Sequence, residues 1–298
     1  MLSDKRKGFL FVALSGILSG TIVFGGKVLS DFGFSLFQVS TLPYLIAAIF
    51  VLPFLFKSGF SGFKKSPKLL VLYAFVSAGT VLCQFGGVVF GVSVAVVVLL
   101  LYAQPLWTIL ISHFFLKEKI SLAQVIAGVL VLVGVFLLVD PSSLFGSQNL
   151  VGVLFALLGG VFLSLWVVVG SLTSKKNISP FLIFFTGSAG GAIFCILFYP
   201  VLLFLSPTLP VVGLSFDLPV FVFVLLFVFS LVSVIGAHIF YYLGAKRLPT
   251  ITSGIIMLLE PLVGVILSTV FLSQPVTIFV VFGGFLILLG NLLVILRG

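Results

Sequence analysis

The sequence predicts an all-α polytopic membrane protein, with ten transmembrane helices arranged as two inverted five-helix repeats. Three observations predict this fold. Apolar runs recur along the whole chain of 298 residues, basic residues concentrate in alternate loops, and the two halves share residues at a fixed spacing. The composition excludes an ordinary soluble domain, because only 7% of the residues are charged, against about a quarter in soluble proteins.

Ten apolar runs have about the length that a helix needs to cross the hydrocarbon core, which is about 20 residues. We interpret them as helices because they are uniformly apolar, whereas the strands of a membrane barrel alternate polar and apolar residues. The predicted spans are residues 8–29, 35–56, 68–90, 94–115, 121–139, 150–172, 179–205, 219–243, 250–272 and 276–296.

The loops between these spans carry an asymmetric charge. If the N-terminus is cytoplasmic, fourteen of the fifteen Lys and Arg residues fall on the cytoplasmic side, and Lys27 alone falls outside. This pattern predicts that the chain spans the cell (cytoplasmic) membrane with both termini in the cytoplasm. The net charge of +9 then reflects topology and contact with lipid headgroups, and we expect no nucleic-acid partner.

From about Val94 to the end of helix 10, the two halves of the chain match without a gap at an offset of 156 residues, which sets helix 4 on helix 9 and helix 5 on helix 10. At this offset Pro105 meets Pro261 and Gly134 meets Gly290, a sharing more specific than that of common apolar residues. The offset shifts the pattern by five helices, and an odd shift inverts one half relative to the other. Inverted repeats are typical of alternating-access carriers, so the repeat predicts transport.

The repeat divides the chain into an N-terminal five-helix domain, residues 1–142, and a C-terminal five-helix domain, residues 143–298. The two cysteines, Cys83 and Cys195, lie inside predicted helices and form neither a disulfide framework nor a metal-binding spacing. The sequence shows no phosphate-binding loop and no nucleophile–base pair. We therefore expect no metal, no cofactor and no enzyme activity.

Three stretches resemble the EamA-type permeases of the drug/metabolite transporter superfamily. They are "YYLGAKRLPTITSGIIMLLEPLVGVILSTVFLSQPVTIFVVFGGFLILLGNLLV" for the C-terminal repeat, "AVVVLLLYAQPLWTILISHFFLKEKISLAQVIAGVLVLVGVFLLV" for the N-terminal repeat, and "GVLFALLGGVFLSLWVVVGSL" for helix 6. The resemblance covers essentially the full chain. It departs at Gln274, where the family usually has an acidic residue, whereas the symmetry mate Glu118 is acidic.

This resemblance implies a basket of ten helices. Helices 1, 3, 4, 6, 8 and 9 would surround a central cavity, and helices 5 and 10 would pack at the periphery, often at a dimer contact. Members of the family export amino acids, metabolites or drugs, so the resemblance leaves the substrate open.

Polar residues at mid-depth are the candidate site. Glu260, in "LLEPLVGV", lies ten residues into helix 9, about 15 Å from its start, and Gln104 is its symmetry mate in helix 4. Carrier sites usually lie at this depth. An ionised acid there costs roughly 2.5–3.5 kcal/mol, so we expect Glu260 to be neutral, paired or facing a wet cavity. Two interpretations stay open: a substrate or proton role, or a structural hydrogen bond that fixes a kink.

Prolines follow both of these residues. Pro105 and Pro261 lack a backbone donor, so each is predicted to kink its helix or act as a hinge. The same reasoning predicts that the carbonyls of Leu101 and Met257 are free.

Other polar and aromatic side chains are also candidates for the cavity lining: Gln84, Tyr102, Trp107, Trp166 and His238. Each has a structural alternative, such as a helix–helix hydrogen bond for a buried histidine. Lys27 is a candidate gate residue at the outer end of helix 1, where the alternative is that its amine reaches back to water.

Taken together, these patterns predict a secondary transporter that moves small metabolites and exports amino acids. The alternative on the same scaffold is a multidrug or lipid-linked-metabolite exporter. The predicted partners are a small-molecule substrate and the lipid bilayer, and a homodimer is an open expectation.

Overall fold

The computed structural model describes residues 4–90, 92, 97, 100–138, 150–272 and 277–297, and the regular structure within them is helical. Its main helices, in chain order, are Asp4–Asp31 (α1), Leu36–Ser58 (α2), Pro67–Val89 (α3), Gln104–Leu116 (α4), Leu122–Leu138 (α5), Leu150–Lys175 (α6), Pro180–Leu205 (α7), Val220–Ala245 (α8), Thr250–Ile256 and Leu259–Leu272 (α9a and α9b), and Ile278–Arg297 (α10). Short helices at Ser61–Lys65 and Leu209–Val212 lie in the loops after α2 and α7.

Eight of these helices, counting α9a and α9b as one, are long and apolar enough to cross a membrane. The other two are α4, with 13 residues, and α5, with 17 residues. The predicted spans that contain them include residues outside the described ranges. The prediction of a multi-pass helical protein is confirmed, whereas the count of ten spans stays a prediction.

The packing of the helices follows the repeat. α1 packs along α8 and α9, and α6 packs along α3 and α4 in the same way. α3 contacts α7, and α8 contacts α2. If each helix in such a contact is replaced by its mate five helices away in the chain, the result is another contact in this set. The two halves therefore form one interlocked bundle.

The relative directions of the helices agree with an inverted repeat. Ser15 of α1 donates a hydrogen bond to the carbonyl of Ala237 in α8 (2.7 Å), and Thr21 shares a hydrogen bond with Ser233 (2.7 Å). Contacts that advance along α1 thus move backwards along α8, so these helices are antiparallel. α1 and α9 run in the same direction. Gly8 lies against Leu248, and Gly20, further along α1, lies against Val263 of α9b.

The peripheral pair α5 and α10 gives the clearest sign of the pseudo-two-fold axis. A Cβ atom on Gly134 would lie 2.7 Å from the carbonyl oxygen of Gly283, and one on its mate Gly290 would lie 2.9 Å from that of Ala127. Residues 127 and 283 are themselves mates at the offset of 156. The two helices therefore cross antiparallel, each with a glycine against the backbone of the other.

Two helices are interrupted at equivalent points. Met257 and Leu258 form a turn between α9a and α9b, and Tyr102 and Ala103 form a turn directly before α4. Each interruption comes just before a proline, which cannot donate the next helical hydrogen bond. Discontinuous helices of this kind commonly form the binding sites of carriers built from inverted repeats.

One detail of the α9 interruption corrects the sequence analysis. The carbonyl of Met257 is not free, because it accepts a hydrogen bond from the backbone N–H of Glu260 (3.0 Å). The chain tightens into an i to i−3 turn at this point, and this turn satisfies the carbonyl that Pro261 leaves without a donor.

Candidate functional site

A cavity lies at the centre of the bundle. It has a volume of about 50 Å³. Its walls come from α1, α2, α3, α6, α8 and the α9 interruption. The lining residues of α1 and α3, such as Ser19 and Gln84, belong to the later halves of these helices. The cavity therefore occupies the half of the bundle away from the N-terminus.

Glu260 lines this cavity from the first turn of α9b. Only 4% of its surface is exposed. Its carboxyl accepts a hydrogen bond from the side-chain amide of Gln84 in α3 (3.3 Å). The partial positive charge at the start of α9b also favours a carboxylate at this position. Because the helix is interrupted here, the start of α9b can accommodate a buried acid, whereas the interior of a continuous buried helix would not.

A second, smaller cavity adjoins Glu260 on its other side, and its lining includes Tyr102 and Gln104. The side-chain amide of Gln104 donates to the hydroxyl of Thr108 (2.6 Å). Thr108 in turn shares a hydrogen bond with Ser164 of α6 (3.0 Å). The Tyr102 hydroxyl is buried and has no hydrogen bond of good geometry within the described residues. The two mates Gln104 and Glu260 therefore line one space.

An aromatic layer closes the central cavity towards the N-terminal face. The ring of Trp166 lies edge to face with that of His238, with the ring centres 4.9 Å apart, and packs against Tyr241 at 4.5 Å. Below them the hydroxyls of Tyr73 in α3 and Tyr242 in α8 share a hydrogen bond (2.8 Å). This bond joins the first repeat to the second, so the layer is a floor built by both halves.

Four of the residues predicted for the cavity line it together: Gln84, Trp166, His238 and Glu260. Trp107 is partly buried, but it lines neither the central nor the smaller cavity. Pro105 and Pro261 lie beside the two helix interruptions rather than in the central space. The side chain of Lys27 lies outside the described part of the structure, although its backbone belongs to α1.

The contribution of α2 was not expected. The resemblance implied α4 as a wall of the central cavity, but in the structure α2 lines it, through Ser40 and Tyr44 among others. The polar cluster "QVST" at residues 38–41, followed by Pro43 inside an apolar helix, was the available signal. Sequence periodicity alone does not show that this face points inward.

Two buried polar atoms at the cavity have no hydrogen-bond partner among the described residues. The hydroxyl of Ser40 and Nδ1 of His238 are buried and make no hydrogen bond within the described residues. Buried polar atoms are normally paired, so unpaired ones beside a cavity are suited to bind a ligand or a water molecule. Among the described lining residues, Glu260 is the one acid and no lysine or arginine is present.

A second acidic residue positions α9 from outside the cavity. Glu118, in the loop after α4, accepts hydrogen bonds from the backbone N–H of Thr250 (3.1 Å) and its hydroxyl (2.8 Å). It also pairs with Lys175 at 3.1 Å. Burial raises the pKa of this carboxyl, but the Lys175 charge and the hydrogen bonds from Thr250 and Lys175 outweigh burial, so its pKa lies below the usual range. Glu118 therefore caps the N-terminus of α9a as a carboxylate. Its mate Gln274 lies outside the described residues.

Known proteins resemble this chain along most of its length. A Clostridium kluyveri protein named "Uncharacterized transporter" is 29% identical over 307 residues, which cover 97% of this chain and 93% of that protein. An Archaeoglobus fulgidus protein of the same name is 26% identical, with 96% of each chain covered. A solved structure titled "Crystal structure of protein" has a TM-score of 0.79 at 17% identity, with 97% and 96% of the two chains covered, which supports the fold.

The family comparison matches both halves separately. The model described as "EamA-like transporter family" matches residues 6–140 and again residues 150–296. The two matches together cover most of the chain, and they fall on the two halves whose helices pack as mates around the central cavity. This chain belongs to the EamA-like transporter family.

Proposed function

We propose that this chain is a secondary carrier that moves small amphipathic amines, amino acids among them, across the cytoplasmic membrane by alternating access. One observation carries the proposal. A cavity between two inverted halves is lined by Glu260, which is held at a helix interruption, and an aromatic floor closes the cavity towards the N-terminal face. Carriers with inverted repeats bind their substrates at such midpoints.

The lining indicates the substrate's chemistry. A buried carboxyl without a neighbouring lysine or arginine would attract a positive charge, and the adjacent face of Trp166 favours a cation or an apolar group. A highly phosphorylated solute would find no cation among the described lining residues. An amine with an apolar part fits both features, and the unpaired atoms of Ser40 and His238 offer further hydrogen bonds.

A multidrug exporter is the second candidate, because the same lining would suit a hydrophobic cation. Phe85, Trp166 and Phe229 give the cavity large apolar walls, and these three side chains offer no dedicated hydrogen-bond donor for the carboxylate of an amino-acid substrate. Amino acids carry a carboxylate and hydrophobic cations do not. Competition between the two classes for transport therefore distinguishes the two candidate functions.

The charge asymmetry supports cytoplasmic termini, an orientation that would put the cavity in the outer half of the membrane. Export is our proposed direction, with a proton gradient as the driving force. We also retain a homodimer through α5 and α10 as a proposal, since both helices present apolar side chains on their outer faces.

The test is flux in proteoliposomes that contain the purified full chain, with and without an imposed proton gradient. Unlabelled amino acids, their N-acetylated forms and tetraphenylphosphonium compete against labelled apolar amino acids. We expect the free amino acids to compete and the N-acetylated forms to fail, since acetylation removes the charged amine.

Glu260→Gln is the informative variant, because it keeps the shape and a hydrogen-bonding group but removes the charge. We expect flux to fall at least tenfold, which corresponds to about 1.4 kcal/mol of lost interaction. Asp217→Asn, which removes an exposed acid from the loop before α8, is the matched control and should leave flux unchanged. Normal flux in Glu260→Gln would assign this residue the structural role. Competition by tetraphenylphosphonium alone would favour the multidrug exporter.

A further inference from the structure

A second recess lies far from the central cavity, at the face of the bundle that carries the N-terminus. It has a volume of about 590 Å³ and opens between the α4–α5 loop, the end of α6, the α8–α9 loop and the end of α10. We call it the cationic recess, after its basic residues: Lys119, Lys175, Lys246, Arg247 and Arg297.

The charges of this recess are unbalanced. Glu118 is the one acid among its described lining residues, and this carboxylate is already occupied by Lys175 and Thr250. Arg247 pairs with Asp4 at 2.8 Å, just outside the recess. The side chains of Lys119, Lys246 and Arg297 are exposed, so they add positive charge without a matching acid in the lining. Such an excess attracts an oxyanion.

The surroundings point to a lipid as the source of this anion. The Asp4–Arg247 pair places the recess at the level where α1 begins. Two apolar side chains beside it are strongly exposed: Leu122 at the start of α5 (74%) and Leu296 at the end of α10 (73%). Side chains like these contact acyl chains when the neighbouring cations bind a headgroup. Basic pockets between helices on this side of a membrane are known to bind anionic headgroups.

We propose that the cationic recess binds the phosphate of an anionic phospholipid headgroup, with the acyl chains lying along α5 and α10. A free phosphate ion has the same oxyanion chemistry, but it would leave the apolar rim uncovered. The phosphate would contact Lys119 from the first repeat and Lys246 and Arg297 from the second. Binding would therefore hold the two repeats together at this face and stabilise the packing of the two repeats seen in the structure.

The experiment measures lipid retention and thermal stability of the purified full chain in detergent micelles. The probes are phosphatidylglycerol, zwitterionic phosphatidylcholine as a headgroup control, and inorganic phosphate. The test variant is Lys119→Gln with Arg297→Gln. The matched control is Lys57→Gln with Lys64→Gln, which removes two exposed basic residues, one at the end of α2 and one in the short helix that follows it, on the same predicted side but outside the recess.

We expect wild type to retain phosphatidylglycerol but not phosphatidylcholine, and to melt at a higher temperature with the former. The test variant should bind phosphatidylglycerol about tenfold or more weakly, and the control should change less than twofold. If inorganic phosphate alone reproduced the thermal shift, the site would belong to a free phosphate, and the lipid proposal would be overturned.

Two further outcomes would also overturn the proposal. Equal loss in both double variants would show diffuse surface attraction, and equal retention of both lipids would show that charge plays no part. A variant with Lys119→Arg and Arg297→Lys keeps both charges, so it should keep the binding. This second variant separates loss of charge from damage to the fold.

Discussion

Glu260 is a buried acid whose carboxyl accepts a hydrogen bond from a side chain of the first repeat. Gln84 of α3 donates this hydrogen bond to the carboxyl. The turn at residues 257–258 ends α9a, and Glu260 lies in the first turn of the new helix, α9b. The break supplies backbone N–H groups, the partial positive charge of a helix start, and an adjoining cavity. Glu260 and Gln84 thus act as one unit at the junction of the two repeats.

The Gln84–Glu260 pair predicts a measurable coupling. Gln84→Leu should lower the free energy of unfolding by about 1–3 kcal/mol, because the buried carboxyl loses its donor. Glu260→Leu combined with Gln84→Leu should restore part of this loss, because no polar group is then left unpaired. Thermal or denaturant unfolding of both single variants and the double variant completes the cycle. Strictly additive effects would show that the hydrogen bond contributes nothing.

At the scale of helices, α9 depends on a cap supplied by the other repeat. Glu118 follows α4 in the first half of the chain, and it accepts hydrogen bonds from Thr250 at the start of α9a in the second. A carboxylate at a helix N-terminus stabilises it through hydrogen bonds and through the helix dipole. The cap therefore ties the entrance of α9 to the loop after α4.

This cap predicts a specific pH dependence. Because the pKa of Glu118 is lowered in the fold, its contribution to stability is fully present above its unfolded pKa. This contribution is lost as the pH falls through the lower, folded pKa. Glu118→Gln should cost about 1 kcal/mol near neutral pH, and the difference from wild type should shrink only below pH about 4.5. Melting temperatures of both proteins between pH 3 and 8 test this. A difference that faded between pH 6 and 7 would contradict the assignment.

The α5–α10 crossing predicts unequal effects of equal substitutions. Gly134→Ala and Gly290→Ala should each destabilise the protein by about 1–3 kcal/mol, because the new methyl group meets the backbone of the opposite helix. Gly128→Ala is the control, since its nearest neighbour, Ile109, would lie 3.6 Å away. This change should be neutral or slightly stabilising. Similar losses at all three positions, measured by thermal unfolding, would argue against the close crossing.

At the scale of the whole molecule, the proposed topology places the N-terminal face in the cytoplasm. In a background with Cys83→Ala and Cys195→Ala, a cysteine at Ser215 should react with a membrane-impermeant thiol reagent added to intact cells. A cysteine at Lys65 should react only after permeabilisation. Both positions lie in loops of the described structure, and Lys65 belongs to the basic side. The reverse labelling pattern would show that the N-terminal face lies outside the cell. Labelling of both sites from outside would show that the predicted number of spans between them is wrong.

The sequence by itself determined the helical class, the positions of most helices and the pairing of the two halves. Long apolar runs have one stable backbone conformation in lipid, because every N–H and C=O group must be paired within the helix. The offset that joined Pro105 to Pro261 pairs two positions that each follow a helix interruption, since a proline disrupts helical hydrogen bonding wherever the helix lies.

Only the tertiary structure decided which faces of these helices point inward. In lipid, the outer surface of a helix is as apolar as its buried surface, so periodicity does not distinguish them. For this reason the sequence did not reveal that Ser40 and Tyr44 of α2 line the central cavity, or that Trp107 lies outside its lining. The grouping of Gln84, Trp166, His238 and Glu260 around one space is likewise a property of how α3, α6, α8 and α9 rotate against each other. That rotation is set by close packing of small residues and by interhelical hydrogen bonds, both of which need the partner helix to be in place.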